Sequence, residues 1–287
     1  MTNDQFAGDI FSKGLYSSWC HMPFMGESVL FDAGEGAATR IGNGLTNVTK
    51  VLCTHSHGDH VLGLPSIIGC RNAARGTSRD PKTFDHNKPL DIYYPADNAD
   101  AMADLLSFIK SRYSSWLRYK LTFHPIEVGV EVPIGTNITI RTIAMKHQKW
   151  QTTLGYVVGE NRRKLNPKFA GQDIAALKRG GLTDADLMVS YRKNLFAYCL
   201  DAYKIEDTSL LRDCERVVMD CTFLNAKDRD EPTHFTMDES LNICNDLGVK
   251  HMFAAHLSPR YSQIPHDSAF GNMEVTVIDP DLGGAIK

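Results

Sequence analysis

The chain has 287 residues, enough to bury a large hydrophobic core, and we expect a single domain over residues 1–287. Its formal net charge of −3 excludes a protein that binds nucleic acid through overall positive charge, so such binding would need a local basic patch. Apolar residues make up 43% and charged residues 23%, no apolar segment is long enough to span a membrane, and no secretory leader is expected. These features favour a cytoplasmic protein.

Short apolar segments rich in β-branched residues alternate with helical patterns, which is typical of a layered α/β protein. The sequence predicts nine strands, in chain order 27–34, 50–54, 90–95, 137–145, 153–159, 195–201, 216–220, 251–256 and 273–279. It predicts three helices, at 61–75, 98–110 and 237–247. Asp97 is the predicted cap of the second helix, and Thr236 with Glu239 forms a capping box at the third. The polar segment 162–194 is predicted to be an insertion or arm outside the core.

A histidine or an aspartate stands at the carboxyl end of five of these strands. These residues are His55, His147, Asp201, Asp220 and His256. Ligand sites in α/β proteins form where the carboxyl ends of strands meet. If the strands run in the same direction, we expect the five side chains to lie close together.

The segment THSHGDH, residues 54–60, carries His55, His57, Asp59 and His60 directly after the second predicted strand. Alternate residues of an extended turn point the same way, so the first two histidines can bind one ion, and the aspartate and third histidine can bind another. Imidazole and carboxylate ligands suit zinc, with manganese or iron as alternatives. Two neighbouring ions form a hydrolytic centre. Three histidines within six residues make an ordinary polar surface loop the weaker interpretation.

THSHGDH resembles the HxHxDH signature of the metallo-β-lactamase fold, a four-layer αββα sandwich of two mixed β-sheets with helices outside. The motifs AMKHQ with TLGYVV, LFAYCLDA and AAHLSPRY follow in the order of that family. The last of them, with FDAGEG, VVMDCTFL and HFT, resembles one branch, ribonuclease Z, the endonuclease that cuts the 3′ trailer from precursor tRNA. The resemblance covers about residues 27–261.

The resemblance implies two divalent ions, with zinc expected and manganese as the alternative. It implies seven ligands: His55, His57 and His147 for one ion, Asp59, His60 and His256 for the other, and Asp201 between them. It also implies phosphodiester hydrolysis by a metal-activated hydroxide, held in line by Asp59. His234 would protonate the departing 3′ oxygen as general acid, held by Asp220. The alternative for His234 is an ordinary surface residue at a helix entry.

The chain departs from the ribonuclease Z pattern at several positions. Leu200 and Ala202 flank Asp201 where the branch has a glycine and a threonine. Asp220 stands in place of a glutamate, HFT replaces HST, and KGLYSSWCHMP stands in place of a glycine-rich turn. The Gly-Pro-rich tRNA-binding arm is absent, and 162–194 takes its place with basic residues that include Arg162, Arg163, Lys164, Lys168, Lys178 and Arg179.

These departures leave three functions open. The leading prediction is a ribonuclease Z-like endonuclease that acts on precursor tRNA as a homodimer, with the arm of one subunit serving the other, and with no membrane partner. The first alternative is a phosphodiesterase for cyclic nucleotides or other small phosphodiesters on the same fold. The second is a nucleic-acid-binding or regulatory module whose metal ions are structural.

Three further features have weaker interpretations. SRYSSWLRYK, residues 111–120, interleaves basic and aromatic residues and could bind a single strand, but we favour an amphipathic surface helix with its aromatic residues packed inward. Ser258 or Arg260 could reach a phosphate, or Arg260 could fix its loop through a salt bridge. Seven cysteines without a CxxC pair favour reduced thiols, several of them in the core, over a thiolate zinc site.

Overall fold

The computed structural model describes residues 7–24, 26–73, 88–113 and 117–287. The strands of this part of the chain are Gly8–Lys13 (β1), Ser17–Phe24 (β2), Glu27–Phe31 (β3), Val48–Leu52 (β4), Leu90–Pro95 (β5), Leu121–Ile126 (β6), Glu131–Pro133 (β7), Ile138–Lys146 (β8), Thr153–Leu165 (β9), Met188–Cys199 (β10), Lys204–Ile205 (β11), Arg216–Asp220 (β12), His251–Ala255 (β13), Ser268–Phe270 (β14), Met273–Val277 (β15) and Gly284–Ile286 (β16). Its α-helices are Ala37–Ile41 (α1), Gly58–Val61 (α2), Leu64–Ala73 (α3), Ala99–Tyr113 (α4), Ile174–Arg179 (α5), Asp184–Leu187 (α6) and Met237–Asp246 (α7). None of these helices has the length and apolar character needed to cross a membrane.

Two β-sheets form the centre of the molecule. The first has the order β16-β1-β2-β3-β4-β5-β6, and its strands β3 to β6 are parallel. The second has the order β11-β8-β9-β10-β12-β13-β15-β14, with β7 paired to β8. Strands β10, β12, β13 and β15 are parallel, and β8 runs in the same direction because β9 is antiparallel to both β8 and β10. The carboxyl ends of β8, β10, β12 and β13 therefore lie at one edge.

Buried side chains fill three interfaces between four layers. Between the sheets, Phe31 contacts Phe196 and Tyr198 with ring centroids 5.3 and 5.4 Å apart. Helices α3 and α4 pack on the outer face of the first sheet, and α7 packs on the outer face of the second. Each fully buried side chain of this size stabilises the fold by about 1.5–3 kcal/mol. The αββα sandwich predicted from the sequence is confirmed.

The predicted strands are all present, but β9 and β10 are longer than predicted. They continue past the sheet as a two-stranded ribbon, paired from Glu160 with Lys193 to Leu165 with Met188, inside the segment 162–194. No residue of this ribbon is buried on either face, so its residues lack the apolar pattern that marks a strand. Helices α5 and α6 complete the segment.

The third predicted helix is confirmed as α7, with Thr236 and Glu239 in a capping box. The first is divided into α2 and α3, and residues 74–75 lie outside the described residues. The cap assigned to Asp97 is wrong: its carboxylate accepts a hydrogen bond from the backbone of Thr152 at 2.8 Å, and α4 begins at Ala99.

The helix predicted over 111–120 ends at Tyr113, and residues 114–116 lie outside the described residues. Tyr119 does pack inward, since it is buried and donates a hydrogen bond to the carbonyl oxygen of Ile68 at 3.0 Å. All seven cysteines are reduced and all except Cys70 are buried, which confirms the prediction that several serve as core residues.

Candidate metal centre

The seven predicted ligands lie together at the carboxyl edge of the sheets. They follow β4, β8, β10 and β13. Their ligand atoms form two groups, each with all atoms within 4.8 Å of one another: His55, His57, His147 and Asp201, which we call the first cluster, and Asp59, His60, Asp201 and His256, which we call the second cluster. Asp201 is common to both.

The carboxylate of Asp201 directs one oxygen to each cluster. Its Oδ2 is 3.7 Å from Nε2 of His55 and 3.7 Å from Nε2 of His147 in the first cluster. Its Oδ1 is 3.3 Å from Nε2 of His60 and 3.1 Å from Nε2 of His256 in the second. A carboxylate in this position could bridge two ions.

The start of helix α2 separates the ligands of the THSHGDH segment. His57 has extended backbone (φ −63°, ψ 148°) immediately before the helix. Because the chain becomes helical at Gly58, Asp59 and His60 leave it in a different direction from the two preceding histidines. One short segment therefore contributes to both clusters.

Four buried ligand atoms have no hydrogen-bond partner among the described residues. They are Nε2 of His55, His60 and His256, and Oδ1 of Asp201. A buried polar atom without a partner destabilises the fold unless another group satisfies it. Imidazole nitrogens and carboxylate oxygens are typical ligands of zinc and related cations. The donor set therefore fits divalent metal binding.

Burial and neighbouring charges set the ionisation of these ligands. Burial lowers the pKa of His55, His57 and His147 below its usual value, so the three imidazoles are neutral and each offers a lone pair. Burial alone would raise the pKa of Asp59 and Asp201. The adjacent imidazoles outweigh it and hold both pKa values below their usual range, so the two side chains are carboxylates.

A histidine–carboxylate pair lies beside the two clusters. Nδ1 of His234 is 2.8 Å from Oδ2 of Asp220, the last residue of β12. The His234 ring centroid is 4.7 Å from that of His147 and 5.2 Å from that of His256. Burial lowers the pKa of His234, but the charges of Asp220 and Asp201 outweigh it and raise the pKa to about 9. Asp220, although shorter than a glutamate, reaches the imidazole of His234. Because its pKa is raised, His234 carries a proton at neutral pH.

Comparison with known proteins agrees with this geometry. The family model described as "Beta-lactamase superfamily domain" matches residues 27–166. A ribonuclease Z of Nocardia farcinica is 29% identical over 258 residues, which cover 82% of this chain and 79% of that protein. The chain therefore carries a segment that matches the beta-lactamase superfamily domain, and over most of its length it is similar to ribonuclease Z enzymes.

Solved structures share the fold at low sequence identity. Human tRNase Z, short form, superposes with a TM-score of 0.67 at 16% identity, covering 98% of each chain. A diphosphatase from the PhnP family superposes with a TM-score of 0.62 at 14% identity, covering 98% of this chain and 96% of that one. These likenesses establish the fold, which hosts more than one activity.

The segment SPRY, residues 258–261, fixes the loop that carries His234. Arg260 donates from Nη1 to the carbonyl oxygen of Asp228 at 2.7 Å and from Nε to Oγ of Ser258 at 3.2 Å. Its guanidinium lies 5.1 Å from the ring centroid of Phe223. The side chain therefore fixes the loop through a backbone carbonyl, and it forms no salt bridge with a described carboxylate.

Three side chains to which the sequence analysis gave no role contact Nδ1 of ligand histidines. They are Asp32 at His60, Thr54 at His55 and Thr222 at His256, at 2.7, 2.9 and 2.9 Å. Such contacts fix the orientation of a ligand imidazole and direct Nε2 toward the metal. A sequence signal existed for Asp32, since it also follows a strand, in FDAGEG. The threonines carry no comparable signal.

We expect Asp32→Asn to weaken metal binding about 10- to 100-fold, the usual effect of losing such a partner. Burial lowers the pKa of His60, but Asp201 and Asp32 outweigh it and raise the pKa, so both carboxylates attract positive charge to this imidazole. Affinity would be measured by competition with a chelator. The matched control is Asp91→Asn, which removes a carboxylate 2.9 Å from His124 away from both clusters. Unchanged affinity in the Asp32 variant would contradict the orienting role.

Proposed function

We propose that this chain is a two-metal phosphodiesterase of the ribonuclease Z type, which cuts the 3′ trailer from precursor tRNA. The observation that carries the proposal is the arrangement of two ligand clusters that share Asp201, with the His234–Asp220 pair beside both. The ribonuclease Z relatives support the choice of substrate. The whole chain would act as a single domain with a substrate-binding arm.

Two divalent ions, zinc or alternatively manganese, would be held by the two clusters. His55, His57 and His147 would bind one, Asp59, His60 and His256 the other, and Asp201 both. When bound, such ions lower the pKa of water and offset negative charge on phosphoryl oxygens. Each ion would have four protein ligands, one of them the shared carboxylate of Asp201.

The remaining steps are assigned to the chain's own residues. The carboxylate of Asp59 would accept a hydrogen bond from the attacking water and orient it toward the phosphorus. His234 would donate its proton to the departing 3′ oxygen, and Asp220 would hold the imidazole in the orientation for that transfer. A ribose alkoxide is a poor leaving group, so the proton donor lowers the barrier to its departure.

We also propose that segment 162–194, the arm, binds the tRNA. Four of its eight basic residues form ion pairs with carboxylates, namely Arg162, Lys178, Arg179 and Lys193. Of the other four, Arg192 donates hydrogen bonds to Thr139. The remaining three form no ion pair with a described carboxylate: Arg163, Lys164 and Lys168. These cations remain available for phosphates. In the homodimer that we propose, the arm of one chain would serve the centre of the other.

Reversing the three unpaired cations tests the arm. We expect Arg163→Glu, Lys164→Glu and Lys168→Glu together to raise KM for precursor tRNA at least about tenfold, because phosphate contacts and their counterion release are lost. Hydrolysis of bis(p-nitrophenyl) phosphate should be unchanged. A control of equal charge reverses three exposed lysines elsewhere: Lys110, Lys250 and Lys287. An equal rise in KM for both variants would mean that net charge, and not the arm, matters.

A second candidate is a phosphodiesterase for cyclic nucleotides or other small phosphodiesters. Four of the arm's eight basic residues already form ion pairs with carboxylates, and a net charge of −3 favours a small substrate over a large polyanion.

The deciding experiment offers metal-loaded protein a 3′-extended precursor tRNA and, separately, a panel of cyclic mononucleotides. The proposal predicts a cut in the precursor directly after the discriminator base. If the precursor stays intact while cyclic nucleotides are hydrolysed, the substrate is a small phosphodiester and not tRNA. Failure to hydrolyse even bis(p-nitrophenyl) phosphate would favour ions with a structural role.

A further inference from the structure

Two exposed aromatic side chains belong to segments that lie close to the two clusters, one segment near each cluster. Tyr16 is 61% exposed and Trp150 is 77% exposed. Neither is a ligand or part of the acid pair. Most tryptophan and tyrosine side chains are largely buried, so an exposed aromatic ring close to a functional site is a candidate for ligand binding.

Tyr16 lies at the tip of the β1–β2 hairpin, two residues after Gly14, which approaches the second cluster. The backbone N–H of Gly14 donates to the carbonyl oxygen of Leu257 at 3.2 Å. A Cβ atom at Gly14 would lie 3.6 Å from Cε1 of His256, so the tip approaches that ligand closely. The Lys13 ammonium is 5.2 Å from the Tyr16 ring centroid. The hairpin is thus fixed on the centre while its aromatic side chain is presented to solvent.

Trp150 lies in the loop after β8, beside the first cluster. It is three residues from His147, so their Cα atoms are at most about 11 Å apart. The loop is held at its far end by Asn98, whose Nδ2 donates to the carbonyl oxygen of Thr152 at 3.2 Å. The Oδ1 of the same asparagine accepts from the backbone N–H of Ser56 at 3.0 Å, between the two ligand histidines of that segment.

We propose that Tyr16 and Trp150 are stacking platforms for two unpaired nucleobases, one on each side of the scissile phosphodiester. The inference deepens the proposed function and rests on it. Every base has a π-face, so aromatic side chains bind single strands with little dependence on sequence. Lys149, the residue before Trp150, is exposed, and its ammonium group is available to bind a phosphate of the single strand. The substrate is thereby specified as a single strand with a base on both sides of the cut.

The test uses a fluorescently labelled RNA hexamer and a second hexamer whose two central nucleotides are abasic. Binding by zinc-loaded protein is measured by fluorescence anisotropy in a His234→Ala background, which slows cleavage. Trp150→Ala and Tyr16→Ala should each weaken binding of the intact hexamer at least about fivefold, the effect of losing one base–aromatic stack. Trp150→Phe and Tyr16→Phe should stay within about twofold of the parent protein. Neither alanine change should weaken binding of the abasic hexamer further.

The matched control is Phe270→Ala, which removes an exposed ring from the edge strand β14. It should bind both hexamers like the parent protein. Alanine variants that bind the intact hexamer like the parent, or a parent that does not bind it, would overturn the stacking role. The proposed function fails separately: stacking effects with an uncleaved precursor tRNA would refute only the tRNA assignment, and a cleaved precursor without stacking effects would refute only this inference.

Discussion

Replacing Asp201 with asparagine is expected to lower phosphodiester hydrolysis at least about a thousandfold. Only this carboxylate directs an oxygen to each cluster among the described residues, at 3.1–3.7 Å from four ligand imidazoles. Asparagine keeps the shape but removes the charge and one ligand oxygen. Two ions would then repel each other across a neutral amide, and several kcal/mol of charge stabilisation would be lost. Metal content measured by mass spectrometry should fall together with the rate.

The backbone offers a matched control for this variant. Asp201 has a left-handed backbone with φ 55°, and Asp213 adopts nearly the same conformation with φ 52° away from the centre. Asp213→Asn should keep both metal content and rate. An Asp201→Asn protein with full metal content and a rate within tenfold of wild type would refute the bridging role.

His234→Ala is expected to reduce kcat for precursor tRNA by about 10²- to 10⁴-fold, the contribution of a general acid, with metal content unchanged. The loss should be much smaller for bis(p-nitrophenyl) phosphate, since p-nitrophenolate leaves without a proton. This contrast separates an acid from a residue that merely maintains the centre. An equal loss on both substrates would contradict the acid role.

The pH profile gives a second measurement of the same pair. The raised pKa of His234, about 9, means that the acid form is present at neutral pH and is lost as pH rises through that value. Asp220→Asn removes a charge that raises this pKa, so the alkaline limb of kcat should move to lower pH. If the alkaline limb of kcat stays at the same pH in Asp220→Asn, a group other than His234 is responsible for that limb.

The sandwich was predictable because its strands carry regular apolar patterns and are followed by histidine or aspartate residues. The same reasoning placed His55, His147, Asp201, Asp220 and His256 at one edge, and they lie there. The order of motifs then indicated the family branch. Sequence therefore predicted both the architecture and which side chains meet.

Other features depend on three-dimensional geometry that no local pattern encodes. The left-handed backbone at Asp201 and at His256 (φ 65°) turns each ligand into the site, and such strain is stored only where the surrounding structure maintains it. Thr54 and Thr222 orient ligand histidines through contacts that resemble any buried hydroxyl in sequence. The β9–β10 ribbon was missed because both of its faces meet solvent.

The two-metal mechanism is tested most directly by adding zinc or manganese stepwise to metal-free protein and following the cleavage of precursor tRNA. We expect no cleavage without metal, a rate that rises to a plateau at about two ions per chain, and a cut directly after the discriminator base. Full activity in the presence of a chelator, or a plateau at one ion per chain, would contradict the two-metal mechanism.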